Sequence, residues 1–261
     1  MTSQMLLHRH AHGGTLVIGG GFAGSYVARR LGRRGATIVN PTNFMLYTPL
    51  LPEAAAGTVE PRHVTVPLRS MCPHAELLLG SAVAVDVDRQ VVRVQSEAGR
   101  FAVSYDDLVI ALGSVTRMPA IPGLREHALG LKDLADAIRL RNHVLRQIEL
   151  ADAAPDSAQQ RLTFVFAGAG FAGVEALAEL RELVDGALRR HPRLAGLEPR
   201  WMLVDNAPRI LRQVPDRLAH SAARTLARRG VEIITDTALT TVDDTGAQLS
   251  DGRRIETATV V

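Results

Sequence analysis

The chain repeats one short pattern, TLVIGGGFAG at residues 15–24 and LTFVFAGAGFAG at residues 162–173. In each copy an apolar run precedes three glycines with the spacing G-x-G-x-x-G, and apolar residues at helical spacing follow them. A second apolar run comes after each helical stretch, as in a β-α-β unit. The repeat therefore predicts an α/β fold with two Rossmann-type dinucleotide-binding domains, each built on a parallel sheet.

The three glycines of this pattern each meet a different steric requirement. The first allows a tight turn off the strand, the second lets the backbone approach a pyrophosphate, and the third lets the helix pack closely on the strand. The anion then lies at the free N–H groups and the positive end of the helix dipole. One such turn is a weak signal, whereas two copies in the same context indicate two dinucleotide sites. Their glycines are Gly19, Gly21, Gly24, Gly168, Gly170 and Gly173.

The segments around the repeats give the expected domain organisation. Short β-rich runs between residues 75 and 103 predict a small β-meander, and the loop at residues 40–60 is too apolar to be freely solvated. We expect a first dinucleotide-binding domain at residues 1–119, a connecting helix at residues 120–154 and a second dinucleotide-binding domain at residues 155–261.

The composition excludes several classes of protein. The chain has 261 residues, of which 46% are hydrophobic and 22% charged, as in an ordinary globular protein. Cys72 is the only cysteine, which excludes an intramolecular disulfide and a catalytic cysteine pair, and we expect it to be a buried small hydrophobe rather than a reactive thiol. The net charge is +3 and aromatic residues make up 4%, too few to stack on bases, so no nucleic-acid partner is expected. No metal site is expected.

The N-terminal segment and the hydropathy bear on localisation. Residues 1–14 are polar, carry His8, His10 and His12, and are expected to form a disordered leader rather than a secretory signal. No apolar run approaches the roughly 20 residues of a membrane span. We therefore expect a cytoplasmic protein that is at most peripheral to a membrane.

One polar residue ends the second strand of each β-α-β unit, and one acidic residue follows the second glycine turn. Asp205 is placed to accept hydrogen bonds from ribose hydroxyls and to repel a 2′-phosphate, which favours NADH, although an ordinary solvated aspartate would look the same. Asn40 is the neutral counterpart in the first copy. Glu175 lies either near the reacting rings or simply at a favourable position in the helix dipole. Two different dinucleotides, a flavin and a nicotinamide, form one economical pair because hydride passes between them.

Four segments resemble the type II NADH dehydrogenases, the non-electrogenic NADH:quinone oxidoreductases within the FAD/NAD(P)-binding pyridine nucleotide oxidoreductases. These segments are VIGGGFAG at residues 17–24, YTPLLP at residues 47–52 continuing to Glu60, YDDLVIALG at residues 105–113 and GAGFAGVE at residues 168–175. The resemblance covers residues 15–261. Because disulfide and sulfide:quinone reductases use paired cysteines, the single cysteine favours an enzyme without a thiol relay.

The resemblance implies two cofactors, FAD and NADH, and a set of binding residues for each. Glu175 is the catalytic candidate, orienting the nicotinamide or relaying protons. The implied cofactor-binding residues are Gly19, Gly21, Phe22, Ala23, Gly24, Asn40, Pro49, Leu50, Leu51, Val83, Ala111 and Gly113 for FAD, and Gly168, Gly170, Phe171, Gly173 and Asp205 for NADH.

The resemblance also implies a reaction and its partners. Electrons pass from NADH through FAD to a quinone, with peripheral contact at the inner face of the cell membrane through a C-terminal region, and with a homodimer as the assembly. The family continues beyond the point where this sequence ends, so we expect a C-terminally truncated chain with an incomplete FAD domain. An inactive dinucleotide-binding fragment and a soluble flavin reductase of a protein electron carrier remain the alternatives.

Overall fold

The computed structural model describes residues 7–261, which form two compact units. Unit 1 contains residues 7–47 and Thr65–Val115, and unit 2 contains Thr48–Val64 and Thr116–Val261. The expected domain boundaries, with a connecting helix between the two domains, stay a prediction.

The described residues form eight α-helices and seventeen β-strands. The helices are α1 (Phe22–Leu31), α2 (Leu51–Ala56), α3 (Leu68–Met71), α4 (Leu124–His127), α5 (Leu134–Ala153), α6 (Ala158–Arg161), α7 (Phe171–Leu188) and α8 (Asp216–Arg228). The strands are β1 (Leu7–His10), β2 (Thr15–Ile18), β3 (Ala36–Asn40), β4 (Phe44–Leu46), β5 (Thr65–Pro67), β6 (Ala75–Leu79), β7 (Ser81–Asp86), β8 (Val91–Ser96), β9 (Gly99–Ser104), β10 (Asp107–Ile110), β11 (Thr163–Ala167), β12 (Arg200–Val204), β13 (Val231–Ile234), β14 (Leu239–Asp243), β15 (Gly246–Leu249), β16 (Arg254–Glu256) and β17 (Thr259–Val260).

Unit 1 contains a parallel sheet and a β-meander. The parallel sheet has the order β10-β2-β3-β6, and its central strand β2 is buried along its whole length. The meander is the antiparallel series β7-β8-β9, to which β1 adds in parallel at β9. Buried apolar residues of the meander and of β2, such as Leu16, Ile18, Val92 and Val94, form one hydrophobic cluster. The predicted α/β class and the predicted meander are therefore confirmed.

Unit 2 repeats the parallel sheet, with the order β13-β12-β11-β17. Its central strands β11 and β12 each contain four consecutive buried residues, most of them apolar, as expected for a sheet covered on both faces. Phe164 on β11 stacks on Trp201 on β12 with ring centroids 4.4 Å apart. A separate antiparallel sheet of β14, β15 and β16 packs its buried side chains with Val165 and Val260.

Two expectations about irregular segments are wrong. The loop expected at residues 40–60 contains β4 and helix α2, because Leu51, Ala54 and Ala55 are fully buried and α2 packs on α5 and α7 of its own unit. The disordered leader expected at residues 1–14 is wrong for residues 7–10, which form β1 and pair with β9. Residues 1–6 of that leader, and with them part of the expectation, lie outside the described residues.

Two other expectations are tested by burial and hydropathy. Cys72 is confirmed as a buried residue, since it is 2% exposed, and its thiol donates to the carbonyl oxygen of Ser25. Across residues 7–261, the structure contains no helix that combines the length and the apolar character needed to traverse a bilayer.

Candidate functional site

The first glycine turn connects β2 to α1 and leaves an opening above its second glycine. Gly19 has a φ of +104°, a conformation that side-chain-bearing residues rarely adopt. A Cβ atom on Gly24 would overlap the carbonyl oxygen of Gly19, so only glycine lets the helix approach the strand this closely. At Gly21, by contrast, a Cβ atom would meet nothing within 4 Å. The sterically required glycines are therefore the first and third, and the second borders open space.

The second turn, between β11 and α7, repeats this arrangement. Gly168 has a φ of +110°, and a Cβ atom on Gly173 would overlap the carbonyl oxygen of Gly168. Gly170 again borders an opening, with only the side-chain amide of Gln213 nearby. Gly21 and Gly170 are the N-cap residues of α1 and α7, and neither helix has a side-chain cap among the described residues. The uncapped N–H groups of both helices can therefore donate to an anion.

The polar residue after each second strand holds its own turn. The N–H of Gly20 donates to Oδ1 of Asn40 at 2.8 Å, and the N–H of Ala169 donates to Oδ2 of Asp205 at 2.6 Å. Oδ1 of Asp205 accepts a second N–H, from Ala207, at 2.8 Å. Both candidates thus stand beside their turns, although the ribose contact expected of each remains a prediction.

The remaining candidates of unit 1 border the first turn or lie on the meander. Phe22 and Ala23 start α1, and Phe22 is 48% exposed. Ala111 follows β10, and its N–H donates to Ile18 at 2.8 Å, which places it beside Gly19. Gly113 lies two residues further on with a φ of +69°, and Val83 is exposed on β7.

The candidates of unit 2 lie at α7 and at the segment leading into α2. Phe171 starts α7 and is 49% exposed, close to the value of its counterpart Phe22. Pro49 and Leu50 lie in a 3₁₀ turn, and Leu51 begins α2. These three residues belong to unit 2 rather than to the unit that contains the first glycine turn. Their expected position beneath the flavin therefore stays a prediction.

Glu175 belongs to a group of three carboxyl groups on α2 and α7. Glu53 on α2 has a buried Oε2 atom without a hydrogen-bond partner among the described residues. Partial burial raises the pKa of Glu175 above that of an ordinary glutamate, and the nearby carboxylates of Glu53 and Glu179 raise it further. Burial likewise raises the pKa of Glu179, against the hydrogen bond that it accepts from the hydroxyl of Thr58 at 3.2 Å.

Sequence reasoning missed two neighbours of these turns. Glu53 is distant from Glu175 along the chain, and only the packing of α2 on α7 brings their charges together. Gln213 lies in a segment without a recognisable motif, and its proximity to Gly170 depends on the path of the loop after β12. An acidic residue inside the apolar segment at residues 44–56 was the one available signal for Glu53.

Comparisons with known proteins show which family the chain belongs to. A family profile described as pyridine nucleotide-disulphide oxidoreductase matches residues 14–261. The external NADH-ubiquinone oxidoreductase 2 of Saccharomyces cerevisiae mitochondria is 34% identical over 220 residues, which are 80% of this chain and 40% of that protein. The type II NADH:quinone oxidoreductase Ndh of Mycobacterium tuberculosis is 31% identical over 257 residues, covering 93% of this chain and 55% of that protein. The resemblance to type II NADH dehydrogenases is therefore confirmed at the level of sequence.

A solved structure shows the same fold. NDH2 from Plasmodium falciparum, determined in complex with NADH, superposes with a TM-score of 0.87 at 18% identity, over 94% of this chain and 53% of that one. The chain thus spans about half the length of the relatives it matches. The matched profile, which covers nearly the whole chain and both glycine turns, shows that this protein belongs to the pyridine nucleotide-disulphide oxidoreductase family.

Proposed function

We propose that the protein is an FAD-dependent oxidoreductase that accepts hydride from NADH and passes electrons to a quinone. The observation that carries the proposal is the pair of glycine turns, each with an opening above the second glycine and an uncapped helix start behind it. The names of the two relatives, an NADH-ubiquinone and an NADH:quinone oxidoreductase, supply the reaction class.

The shape and the donors of the two turns fit dinucleotides. A pyrophosphate needs close backbone approach and N–H donors, and Gly21 and Gly170 provide both because a Cβ atom would stand in that open space. In this proposal Gly19–Gly24, Asn40, Val83, Ala111 and Gly113 hold FAD, together with Pro49, Leu50 and Leu51, whereas Gly168–Gly173 and Asp205 hold NADH. When bound, a flavin supplies a two-electron acceptor for the hydride of a nicotinamide.

The side chains of the chain select and orient the nicotinamide dinucleotide. The charged carboxylate of Asp205 accepts hydrogen bonds from ribose hydroxyls and repels a 2′-phosphate, which favours NADH over NADPH. Glu175 orients the nicotinamide or holds a proton near it. Its raised pKa extends the pH range over which its carboxyl group is protonated and can donate a hydrogen bond. The protein's contribution is mostly positioning, since the cofactor carries the chemistry.

The cellular setting follows from the same resemblance. A lipid-soluble quinone acceptor favours peripheral contact with the inner face of the cell membrane, through a region that the relatives contain outside the matched segment. A homodimer is the proposed assembly, with the bulk of the protein in the cytoplasm.

A spectroscopic experiment tests the proposed function. The full chain, loaded with FAD and freed of excess, should show flavin absorbance that NADH bleaches without oxygen and that a water-soluble quinone restores. Gly21→Val should prevent flavin retention, and Gly170→Val should leave the flavin bound but slow its bleaching. Retained NADH binding without bleaching would contradict the proposal and favour a dinucleotide-binding fragment. Restoration by a protein electron carrier but not by quinone would favour the flavin reductase.

A further inference from the structure

A loop between β12 and α8 is held in one conformation by the guanidinium group of Arg209. Nη1 of Arg209 donates to the carbonyl oxygen of Leu211 at 3.0 Å. Nη2 donates to the carbonyl oxygens of Arg212 at 3.2 Å and Val214 at 3.3 Å, and pairs with Asp216 at 3.1 Å. Because one planar group with several donors satisfies successive carbonyls, the loop at residues 211–214 has a fixed path.

This loop is attached directly to the second glycine turn. The N–H of Leu211 donates to the carbonyl oxygen of Ala169 at 2.8 Å, inside the turn itself. Leu211 has a φ of +49°, which is unfavourable for a residue with a branched side chain and persists only where surrounding contacts fix it. The loop thus follows a strained path that brings its next residues alongside Gly170.

Gln213 is the residue that this path places over the opening. Its Nε2 atom lies 3.9 Å from the point where a Cβ atom of Gly170 would stand. The side chain is exposed and makes no hydrogen bond to any residue in the part of the chain that the structure describes. The first turn has no such neighbour, since Gly21 has nothing within 4 Å of the same point. At the second glycine, an amide donor therefore stands beside the second turn, whereas none stands at the same position of the first turn.

We infer that Gln213 is a ligand-binding residue of the second dinucleotide site, donating from its side-chain amide to the pyrophosphate, and that Arg209 is the residue that positions it. The inference rests on the proposed function insofar as the dinucleotide there is a nicotinamide one. A neutral donor at this position adds a hydrogen bond to an anionic ligand without adding net charge. A hydrogen bond to a charged group contributes enough to change a dissociation constant about tenfold or more.

Calorimetric titration of the FAD-loaded full chain with NAD⁺ tests the inference, since NAD⁺ binds without reducing the flavin. Gln213→Ala should weaken NAD⁺ binding about tenfold. Gln213→Glu should weaken it further, because a carboxylate repels the pyrophosphate. AMP lacks a pyrophosphate, so its affinity should change much less. Gln159→Ala is the matched control, because Gln159 is also an exposed glutamine of unit 2. It lies beside Thr163 and Arg200, the first residues of β11 and β12, and therefore at the end of the sheet opposite to the glycine turn.

A double-mutant cycle tests the positioning role of Arg209. Arg209→Lys alone should weaken NAD⁺ binding, because a lysine cannot satisfy several carbonyls at once, and it should add little loss when Gln213 is already alanine. Fully additive losses would overturn the positioning role. Equal NAD⁺ affinity in wild type and Gln213→Ala would overturn the inference while leaving the proposed function intact. Failure of the wild type to bind NAD⁺ would overturn both.

Discussion

The steric roles of Gly21 and Gly24 predict different consequences for substitution by alanine: a loss of fold stability at Gly24 and a loss of flavin retention at Gly21. In Gly24→Ala the new Cβ overlaps the carbonyl oxygen of Gly19, whereas real Cβ atoms keep about 3.0 Å or more. Gly19 cannot yield easily, because its N–H is bonded to Val39 at 2.8 Å and its own Cβ position is filled by the carbonyl oxygen of Ala111. Helix α1 must therefore lift from the sheet.

The size of the effect follows from two opposing contributions. Overpacking of this kind destabilises by roughly 1–3 kcal/mol, and the severity of the overlap favours the upper end. Alanine in a helix recovers up to about 1 kcal/mol relative to glycine. The expected net loss for Gly24→Ala is about 2 kcal/mol. Gly21→Ala replaces an N-cap glycine in open space, so its loss should stay below about 1 kcal/mol.

Thermal unfolding and flavin retention measure the two effects separately. Gly24→Ala should lower Tm by about 4–8 °C, given about 2–4 °C for each kcal/mol in a chain of this size. Gly21→Ala should unfold near the wild-type temperature but retain less FAD after gel filtration, because its methyl group occupies the opening. A Gly24→Ala protein as stable as wild type would refute the steric reasoning, and so would a Gly21→Ala protein that loses more stability than Gly24→Ala.

Three further predictions concern charged and titratable groups. Asp205→Asn should lower the ratio of kcat/KM for NADH to kcat/KM for NADPH, and an unchanged ratio would remove Asp205 from the ribose site. The same substitution should destabilise the fold by about 1 kcal/mol, because an amide has one acceptor oxygen whereas the two oxygens of Asp205 each accept an N–H. The raised pKa of Glu175 means that the folded protein holds this proton more tightly than the unfolded chain, so the free energy of unfolding falls as pH rises from about 4.3 through the folded value. Glu175→Gln should flatten that part of a urea-unfolding profile, and an unaltered profile would contradict the shift. Burial lowers the pKa of His143, whose Nε2 atom lies 3.0 Å from the carbonyl oxygen of Ala258 and 3.0 Å from the hydroxyl of Thr259. The folded protein therefore binds this proton less tightly than the unfolded chain, and the free energy of unfolding should fall as pH drops below about 6.5. His143→Gln should lose this pH dependence in the same assay.

The glycine turns were predictable from sequence because their requirements are local. A positive φ at Gly19 and Gly168, and a close helix–strand approach at Gly24 and Gly173, are conditions that glycine satisfies most easily, and they recur at fixed spacing. Helix α8 also carries local end signals, with Pro215 before its start and Gly230 beyond its end.

The elements that sequence reasoning missed depend on distant partners. Helix α2 has six residues including Pro52, too short to be stable alone, and it forms because its leucine and alanines are buried against α5 and α7. Strand β1 exists through its pairing with Phe101–Ser104, far along the chain. No local pattern specifies either contact. The same holds for Glu53 beside Glu175 and for Gln213 over Gly170.

The two copies of the site differ in the acceptor capacity left on their strand-end residues rather than in turn geometry. Asn40 accepts the N–H of Gly20 with one of the two lone pairs of Oδ1 and donates from Nδ2 to Thr42, at 2.8 Å to its carbonyl oxygen and at 3.0 Å to its hydroxyl, so it keeps one lone pair and no negative charge. An ionised carboxylate has about four lone-pair sites, and Asp205 commits two of them to Ala169 and Ala207. Asp205 therefore keeps acceptors for ribose hydroxyls. In the proposed function, this difference places selective recognition at the second site, where NADH must bind and leave in every turnover, and leaves the first site to hold its cofactor mainly through backbone and shape.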